Sequence, residues 1–318
     1  MPIGYDTSIA MGLSKGMTML TVDLTICDGP GPVNEDVVGH HGNAAWVIDG
    51  ATGVGAALLE SPSDAAWLAQ TANDFIVEGL SEDPAQPTRD LLHTVIIRCA
   101  TALALASAQR RIADEPHELP SAAFAMVRVL NNRAEITTLA DCRVAAVDDS
   151  GTARLYGQSP LGAIEARTLE TVRAIRTANP DIAPDALRAL LLPVLRENRR
   201  MLNRNGGYWA LGTEPAAADH LWQTTLPLRP GQRFAIASDG FLRPIELFDT
   251  ATPANLLAIA SPADATGWLD QLRHRERQVD RDDRYTRVKM HDDASLLVCT
   301  WRSPENVTNI IPKFDRYA

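Results

Sequence analysis

The chain has 318 residues, of which 45% are hydrophobic, and it carries 30 lysines and arginines against 40 aspartates and glutamates. A chain of this length can bury a large core, so one large domain and two smaller ones are both compatible with it. The formal net charge of −10 disfavours binding to DNA, RNA or an anionic membrane surface, because like charges repel.

The first part of the chain is predicted to contain two strands followed by two helices. Apolar runs indicate strands at 17–26 and 44–48, with a Gly/Pro-rich loop at 28–32 between them. A helix is predicted to begin near 61–64, where serine and aspartate residues can cap it. A second helix is predicted at 88–112, because apolar residues recur there at helical spacing.

The rest of the chain is predicted to be largely antiparallel sheet covered by helices. Short alternating runs separated by turn residues predict a four-stranded meander: 123–130, 134–139, 144–147 and 153–156. Later strands are predicted at 221–226, 233–237 and 294–301, with helices between 253 and 279. No internal repeat or low-complexity linker interrupts this pattern.

The cysteines and the apolar segments indicate a compartment. The four cysteines contain no CxxC pair, so buried free thiols in a reducing cytosol are the favoured interpretation: Cys27, Cys99, Cys142 and Cys299. No run of about 18 apolar residues and no signal-peptide pattern is present, so no membrane association is expected. We therefore predict a cytoplasmic protein.

Aspartates stand next to several of the predicted strands. Asp49 and Asp239 each end an apolar run and precede a glycine, and Asp292 and Asp293 come just before the last strand. Carboxylates that converge without positive partners repel one another and raise each other's pKa values. Divalent cations with oxygen ligands relieve that repulsion. These signatures together predict a metal centre.

The order of these acidic signatures resembles the metal-dependent Ser/Thr protein phosphatases of type 2C, the PPM family, in a bacterial-type member. Five motifs follow the family's order: Asn34-Glu35-Asp36, Asp49-Gly50, Ala140-Asp141-Cys142-Arg143, Ser238-Asp239-Gly240 and Asp292-Asp293-Ala294-Ser295. The resemblance implies an α+β fold, a four-layer αββα sandwich with two packed antiparallel sheets flanked by helices and a metal centre at one end. It also implies a single domain over 1–318 with a helical flap insertion at about 157–212.

The resemblance implies which residues bind Mg²⁺ or Mn²⁺. The implied ligands are carboxylates and one backbone carbonyl: Glu35, Asp36, Asp49, Gly50, Asp239, Asp292 and, at a third and weaker site, Asp141. Asp49 would bridge two ions, with Asp239 and Asp292 completing the shell of one of them. Glu35 and Asp36 would hold the other ion directly or through water.

Two positions depart from the family pattern. An arginine that binds the substrate phosphate commonly precedes the Asn-Glu-Asp motif by three residues, and Gly31 stands there in this chain. Many eukaryotic members place a histidine after the Asp-Gly pair, where this chain has Ala51. A histidine near a motif, such as His291, is more often a surface or hydrogen-bonded residue than a catalytic one.

Arginines of the predicted flap could compensate for Gly31. The candidates for contact with the substrate phosphate are Arg199, Arg200 and Arg204, which follow an apolar helical pattern that starts near 182–185. The alternative is a solvated helix end whose arginines complement the helix dipole. The segment 273–289, which is rich in both charges, is interpreted as a solvated helix and loop.

The resemblance implies a phosphatase that acts on phosphoserine or phosphothreonine in a phosphorylated protein. A metal-activated water at a binuclear Mg/Mn centre would attack phosphorus, with no side chain in a covalent role. Cys142 is not a plausible nucleophile, because no Cys-x5-Arg loop surrounds it. Two alternatives remain open: a weak or inactive relative that acts as a regulatory binding module, and a phosphatase of a small phosphorylated metabolite. The sequence predicts no oligomeric state.

Overall fold

The computed structural model describes residues 19–113, 115–158, 162–279 and 282–302. These ranges contain ten strands: β1 (Met19–Asp28), β2 (Asp36–His41), β3 (Ala44–Ala51), β4 (Ser121–Leu130), β5 (Arg133–Leu139), β6 (Arg143–Val147), β7 (Ala153–Tyr156), β8 (Trp222–Pro227), β9 (Arg233–Ala237) and β10 (Ala294–Arg302). They also contain seven α-helices: α1 (Asp64–Glu82), α2 (Thr88–Ser107), α3 (Gly162–Ala178), α4 (Pro184–Arg200), α5 (Asp239–Glu246), α6 (Pro253–Ala258) and α7 (Pro262–Gln278).

The strands form two five-stranded antiparallel sheets. The first sheet has the order β1-β10-β9-β6-β7 and the second the order β2-β3-β4-β5-β8. Helices α1 and α2 cover the outer face of the second sheet, whereas α5, α6 and α7 cover the outer face of the first. The predicted four-layer αββα sandwich is therefore confirmed.

The alternation of side chains along the central strands produces this layering. On β3, Ala45 and Val47 point into the core between the sheets, whereas Trp46 and Ile48 pack under α1 and α2. Successive side chains of a strand point to opposite faces, so a strand covered on both sides is apolar throughout. This is why β3 and β4 read as continuous apolar runs.

The predicted four-stranded meander is wrong, because its strands belong to different sheets. Strands β4 and β5 form a hairpin in the second sheet, closed by Asn131 and Asn132 with φ of 49° and 58°. Strands β6 and β7 form a separate hairpin in the first sheet. The chain crosses between the sheets directly after Ala140, whose φ of 58° lies in the left-handed region. Alternation cannot reveal this crossing, because both hairpins have the same period.

Several other boundaries differ from the prediction. The segment 36–41 forms β2. It was not predicted as a strand, because its two histidines interrupt the apolar pattern. Helix α2 ends at Ser107 rather than at 112, and the amides of Arg110 and Arg111 donate to the Ser107 carbonyl in the turn that follows. Residues 17 and 18 of the first predicted strand lie outside the described residues.

Helices α3 and α4 follow β7 in the chain and form a pair with a small core of their own. Val172 of α3 packs with Leu187 and Leu191 of α4, and all three side chains are buried. Amphipathic spacing on α4 explains this contact, since Leu187 and Leu191 are four residues apart. The pair occupies the region where the sequence predicts a flap.

Helix α2 and Cys27 bear on the compartment predictions. By length and composition alone, α2 is one described helix that could cross a membrane, but such a test is also passed by core helices. Here α2 packs against α1 and the second sheet through Leu92, Val95 and Ile96. Cys27 is exposed, so the prediction that all four thiols are buried is wrong at this position.

Candidate metal centre

Acidic residues from both sheets meet at one end of the sandwich. Asp36 of β2 stands directly opposite Asp49 of β3 in the antiparallel register, so their side chains share a face. Asp239 begins α5 immediately after β9, and Asp292 lies just before β10. Asp141 lies between β5 and β6, where the chain crosses from one sheet to the other. The structure thus brings these five predicted ligands into one region.

Burial and mutual repulsion disfavour the ionised forms of Asp49 and Asp36. Burial raises the pKa of Asp49 well above its usual range, and Asp36, Asp239, Asp141 and Asp292 raise it further. Burial, reinforced by nearby carboxylates, raises the pKa of Asp36 to about 7. No donor meets either carboxylate oxygen of Asp36 in hydrogen-bonding geometry, although the nearby hydroxyls of Ser295 and Ser238 offset part of the rise in its pKa. A buried acid without donors is the condition that a bound cation would relieve.

Asp141 and Asp239 lie in a second part of the acidic region. Burial raises the pKa of Asp141 to about 8, and the charge of Asp239 adds to the shift. Burial also raises the pKa of Asp239, which is close enough to Asp49 for a hydrogen bond between the two side chains. Glu165 of α3 and Glu246 of α5 lie within electrostatic reach of Asp141. Negative charge therefore extends from the sheet ends to the first turn of α3.

Glu35 connects the acidic end of the sandwich to α1. Its Oε1 accepts hydrogen bonds from the hydroxyls of Thr52 and Ser63, and Ser63 also caps α1 through the amides of residues 65 and 66. The Glu35 amide donates to Asp293 Oδ2 at 2.7 Å. Its carbonyl accepts from the Gly50 amide at 3.1 Å. A Cβ at position 50 would lie 2.5 Å from that carbonyl, so only glycine fits there.

Asp293 is tied to the backbone of Glu35 and lies close to the start of α5. Its Oδ2 is taken by the Glu35 amide, and a Cβ on Gly240 would lie 1.9 Å from its carbonyl oxygen. Gly240 therefore allows the start of α5 to lie close to Asp293, the residue before β10. Nearby, the amide of Ser295 donates to Ser238 Oγ at 2.9 Å and the amide of Ser238 donates to the Ser295 carbonyl at 3.1 Å.

Asp292 is held by cations on both of its carboxylate oxygens. Arg243 Nη2 of α5 donates to Oδ2 at 2.9 Å, and Lys289 Nζ donates to Oδ1 at 3.0 Å. Arg273 Nη2 of α7 donates to the Asp292 carbonyl at 2.8 Å. Asp292 thus differs from Asp36 and Asp49, because positive charge balances it within the protein.

A fully buried glutamate organises the cations around Asp292. Glu276 of α7 accepts hydrogen bonds from Arg243 and, at 3.0 Å, from Arg273, and lies 2.6 Å from His291 Nδ1. Its side chain has no exposed surface. The interpretation of 273–289 as a solvated helix and loop is therefore wrong for its inner face. His291 is a hydrogen-bonded residue, as expected.

The three flap arginines occupy different environments. Arg199 reaches the centre, where its guanidinium donates to the carbonyls of Ala51 and Thr52 at 2.8 and 2.9 Å and to the Ser121 hydroxyl. Arg200 lies on the surface, 3.7 Å from Glu115 and 3.6 Å from Glu197. Arg204 is exposed. A role for any of them in phosphate binding stays a prediction, and the contacts of Arg199 are those of an anchor.

The donor set suits a hard divalent cation, although the carboxylates are not arranged as a finished shell. In the part of the chain that the structure describes, no three Asp, Glu, His or Cys side chains form a group that could hold a metal ion as they stand. The oxygens of Asp36 lack donors, and Asp49 is surrounded by acids. Carboxylate oxygens are the ligands that Mg²⁺ and Mn²⁺ prefer, so the chemistry of the site fits these ions.

Motif reasoning missed Lys289, Arg243 and Glu276. One signal was available for Glu276, which follows the buried Leu269 and Leu272 at helical spacing and so occupies a core position of α7. A glutamate on such a face needs a buried cation. No comparable signal exists for Lys289, because its contacts with the centre form only when the loop before β10 folds.

Comparisons with known proteins agree with this geometry. The family model described as Protein phosphatase 2C matches residues 29–283. None of the curated proteins compared with the chain matches it.

Several solved bacterial structures have a similar fold. The serine/threonine phosphatase PstP/Ppp of Mycobacterium tuberculosis is 15% identical, with 90% of this chain and 100% of that chain covered and a TM-score of 0.51. PppA, described as a regulatory component of T6SS in Pseudomonas aeruginosa, is 16% identical, with 91% and 99% covered and a TM-score of 0.51. Stp1 of Staphylococcus aureus, a serine/threonine phosphatase, is 13% identical, with 92% and 99% covered and a TM-score of 0.50.

Proposed function

Because the chain belongs to the protein phosphatase 2C family, a family of serine/threonine phosphatases, we propose that it hydrolyses phosphoserine or phosphothreonine in phosphorylated proteins at the acidic end of its sandwich. Two divalent ions, Mg²⁺ or Mn²⁺, would supply a reactive water and neutralise the phosphoryl oxygens when bound there. The residues that would hold them are Asp49 with the Gly50 carbonyl, Asp239 and Asp292 on one side, and Glu35 and Asp36 on the other. Asp141 would serve a third, weaker site.

The convergence of Asp36, Asp49 and Asp239 from two sheets carries this proposal. The antiparallel register places Asp36 and Asp49 on one face, and the start of α5 brings Asp239 to them. Burial and charge raise the pKa of each of these carboxyls. Burying several acids together lowers the stability of a protein. Groups with strongly perturbed pKa values therefore occur more often at functional sites than elsewhere.

The other residues of the centre position these acids. Hydrogen bonds from Thr52 and Ser63 hold the Glu35 carboxylate against the start of α1. Arg243 holds Asp292 from behind, because its guanidinium is itself fixed by Glu276. Arg199 fixes the backbone that follows Gly50 by binding the carbonyls of residues 51 and 52. Hydrogen bonds to the groups that would bind an ion fix the orientation of those groups in advance.

Turnover with added manganese tests the proposal. Wild-type protein is expected to release phosphate from a phosphopeptide and from an aryl phosphate, and Asp49→Asn or Asp239→Asn is expected to abolish turnover while the circular dichroism spectrum stays unchanged. Asp270→Asn, an exposed carboxylate on α7, is the matched control and is expected to retain activity. Near-wild-type turnover by either centre variant at saturating manganese would refute the metal assignment. Faster turnover of small phosphorylated metabolites than of phosphopeptides would assign the substrate to that class.

A regulatory binding module is the second candidate, and two observations favour it. Gly31 provides no cation at the position where the family carries an arginine, and both carboxylate oxygens of Asp292 are already bound by Arg243 and Lys289. A module of this kind would bind a phosphorylated partner without turnover. Calorimetry that detects no heat of manganese binding, together with an inert wild-type protein, would favour this function.

A further inference from the structure

The carboxylates of the acidic centre repel a phosphorylated substrate, and a side-chain cation beside the centre would add its attraction to that of any bound divalent ions. A phosphoserine carries a charge of about −1.5 to −2 at neutral pH, and the centre itself is lined by carboxylates. Arg199 is committed to two backbone carbonyls and a hydroxyl. Arg243 is 8% exposed and lies behind Asp292. Neither guanidinium is placed to meet an incoming phosphate.

Lys289 combines contact with the centre and access to solvent. Its ammonium donates to Asp292 Oδ1 at 3.0 Å, and 54% of its side chain is exposed. Three carboxylates lie within electrostatic reach of its ammonium: Asp292, Asp49 and Glu35. Those three carboxylates come from β3, from the start of β2 and from the entry to β10. Lys289 therefore lies where the proposed ligand groups meet.

The loop that carries Lys289 has a buried base and an exposed tip. Arg287 is 5% exposed and donates to the carbonyl of Glu276 at 2.6 Å and to the carbonyl of Met290 at 3.1 Å. By contrast Val288 and Met290, on either side of Lys289, are 37% and 41% exposed. The base thus fixes the loop against α7 while the tip faces solvent beside the acidic centre.

We propose that Lys289 binds the phosphate of the substrate and so provides the positive charge that Gly31 does not. An ammonium carries three N–H donors on a flexible stem, and one of them is used by Asp292 Oδ1. The other two can be donated to phosphoryl oxygens without breaking that contact. This inference rests on the proposed function for its setting, since it assigns the contact that holds the substrate at the same site.

Kinetics with variants at position 289 provide the first test. Lys289→Ala is expected to raise KM for a phosphopeptide about tenfold or more and to change kcat much less, because a contact to the bound phosphate is lost. Lys289→Arg is expected to retain most of the affinity. Arg284→Ala, which removes an exposed charge paired with Asp282 on the neighbouring turn, is the matched control and is expected to leave KM unchanged.

Binding of inorganic phosphate provides the second test, and it does not depend on turnover. Calorimetric titration of phosphate into manganese-equilibrated protein is expected to show at least tenfold weaker binding for Lys289→Ala than for the wild type. Manganese itself is expected to bind Lys289→Ala at least as tightly as the wild type, because the substitution removes a positive charge that repels the ion. Weaker manganese binding would assign Lys289 a structural role and overturn the inference.

The two tests separate the inference from the proposed function. An active wild type whose KM and phosphate affinity are unchanged in Lys289→Ala would overturn the inference and leave the phosphatase activity standing. An inactive wild type that binds phosphate, with the affinity lost in Lys289→Ala, would overturn the activity and support Lys289 as the phosphate contact. Equal effects of Lys289→Ala and Arg284→Ala would also overturn the inference, because they would indicate a general charge effect.

Discussion

Asp36 illustrates the cost of the acidic centre at the level of one residue. Its two oxygens are buried and have no donor in hydrogen-bonding geometry, and the nearby hydroxyls of Ser295 and Ser238 offset only part of the rise in its pKa. An unsatisfied buried polar group costs about 1–3 kcal/mol. The protein can avoid that cost by protonating Asp36 or by binding a cation beside it. The raised pKa of Asp36 means that protonation is favoured when no cation is bound.

Gly31→Arg is expected to lower KM for a phosphorylated substrate at saturating manganese. A Cβ at position 31 would meet only the Val33 carbonyl oxygen, at 3.6 Å, so the backbone has room for a side chain. The new guanidinium would add a charge-assisted contact worth about 1.5–3 kcal/mol. Steady-state kinetics measures the change.

Gly267→Arg is the matched control for this substitution. Position 267 lies on α7, where no atom beyond its own helix would stand within 4 Å of an added Cβ. It changes the net charge by the same amount without approaching the centre. An equal fall of KM in both variants would mean that overall charge, and not position 31, attracts the substrate.

Individual acids were predictable from sequence where a local signature marks them. Asp49 and Asp239 follow apolar runs and precede glycines, and the structure places both in the acidic region. The cations were not predictable, because their partners are remote in the chain. Arg243 meets Asp292 across 49 positions, and Lys289 becomes part of the centre only through the folding of its loop.

At the level of elements, Arg199 joins the α3–α4 pair to the backbone that follows Gly50. Arg199→Ala is expected to reduce the free energy of unfolding by about 2 kcal/mol and to speed proteolysis within 162–200, since three hydrogen bonds from a charged donor are lost. Chemical denaturation and limited trypsin digestion measure the two effects. A raised KM with unchanged proteolysis would instead support Arg199 as a phosphate contact.

Arg200→Ala provides the reference for that experiment. Arg200 follows Arg199 on α4, but it is exposed and its ion pairs with Glu115 and Glu197 lie at 3.7 and 3.6 Å. Exposed pairs of this kind contribute about 0–1 kcal/mol. Equal proteolysis of the two variants would contradict the anchoring role of Arg199.

The buried contacts of Glu276 join α5, α7 and the loop before β10. Glu276→Gln is expected to lower the free energy of unfolding by about 3 kcal/mol, because breaking a buried ion pair leaves Arg243 and Arg273 without their shared counter-charge. Arg277→Ala, an exposed residue on the same helix, is expected to change it by less than about 0.5 kcal/mol. Urea denaturation compares them. A loss as small as that of Arg277→Ala would show that the network contributes no stability.

Elements were predictable where one periodicity held throughout, and not where tertiary contacts determined them. The covered strands β3, β9 and β10 read clearly as apolar runs. Strand β2 did not, because it ends in two histidines and begins within an acidic motif. The chain passes to the other sheet at Ala140, whose backbone is left-handed, and the sequence pattern does not reveal this crossing.

For the whole molecule, metal-free protein is expected to lose stability as pH rises. The pKa values of Asp36 and Asp141 in the fold, about 7 and about 8, lie above the ordinary value for aspartate, so the folded state holds protons that the unfolded chain has released. Their stabilising contribution is complete below about pH 4 and is lost as pH rises through 7 to 8. Thermal melts in EDTA between pH 5.5 and 8.5 measure the fall.

Asp36→Asn and manganese provide the controls for the pH experiment. The variant removes one titrating group, so its melting temperature is expected to fall less with pH than that of the wild type. Manganese at about 100 times its dissociation constant is expected to add about 2.7 kcal/mol of stability at the higher pH. A wild-type melting temperature that stays level in EDTA would contradict the raised pKa values.

The pairing of β1 with β10 has a consequence for the timing of folding during synthesis. These strands hydrogen-bond along their length, from Met19 beside Arg302 to Asp28 beside Ala294. Asp292 and Lys289 stand at the entry to that last strand, whereas Asp36 and Asp49 leave the ribosome some 250 residues earlier, as the Glu35–Asp293 contact spans 258 positions. Asp36 and Asp49 are therefore synthesised long before Asp239, Lys289 and Asp292. The centre cannot assemble before β10 has been synthesised, so its function cannot begin earlier.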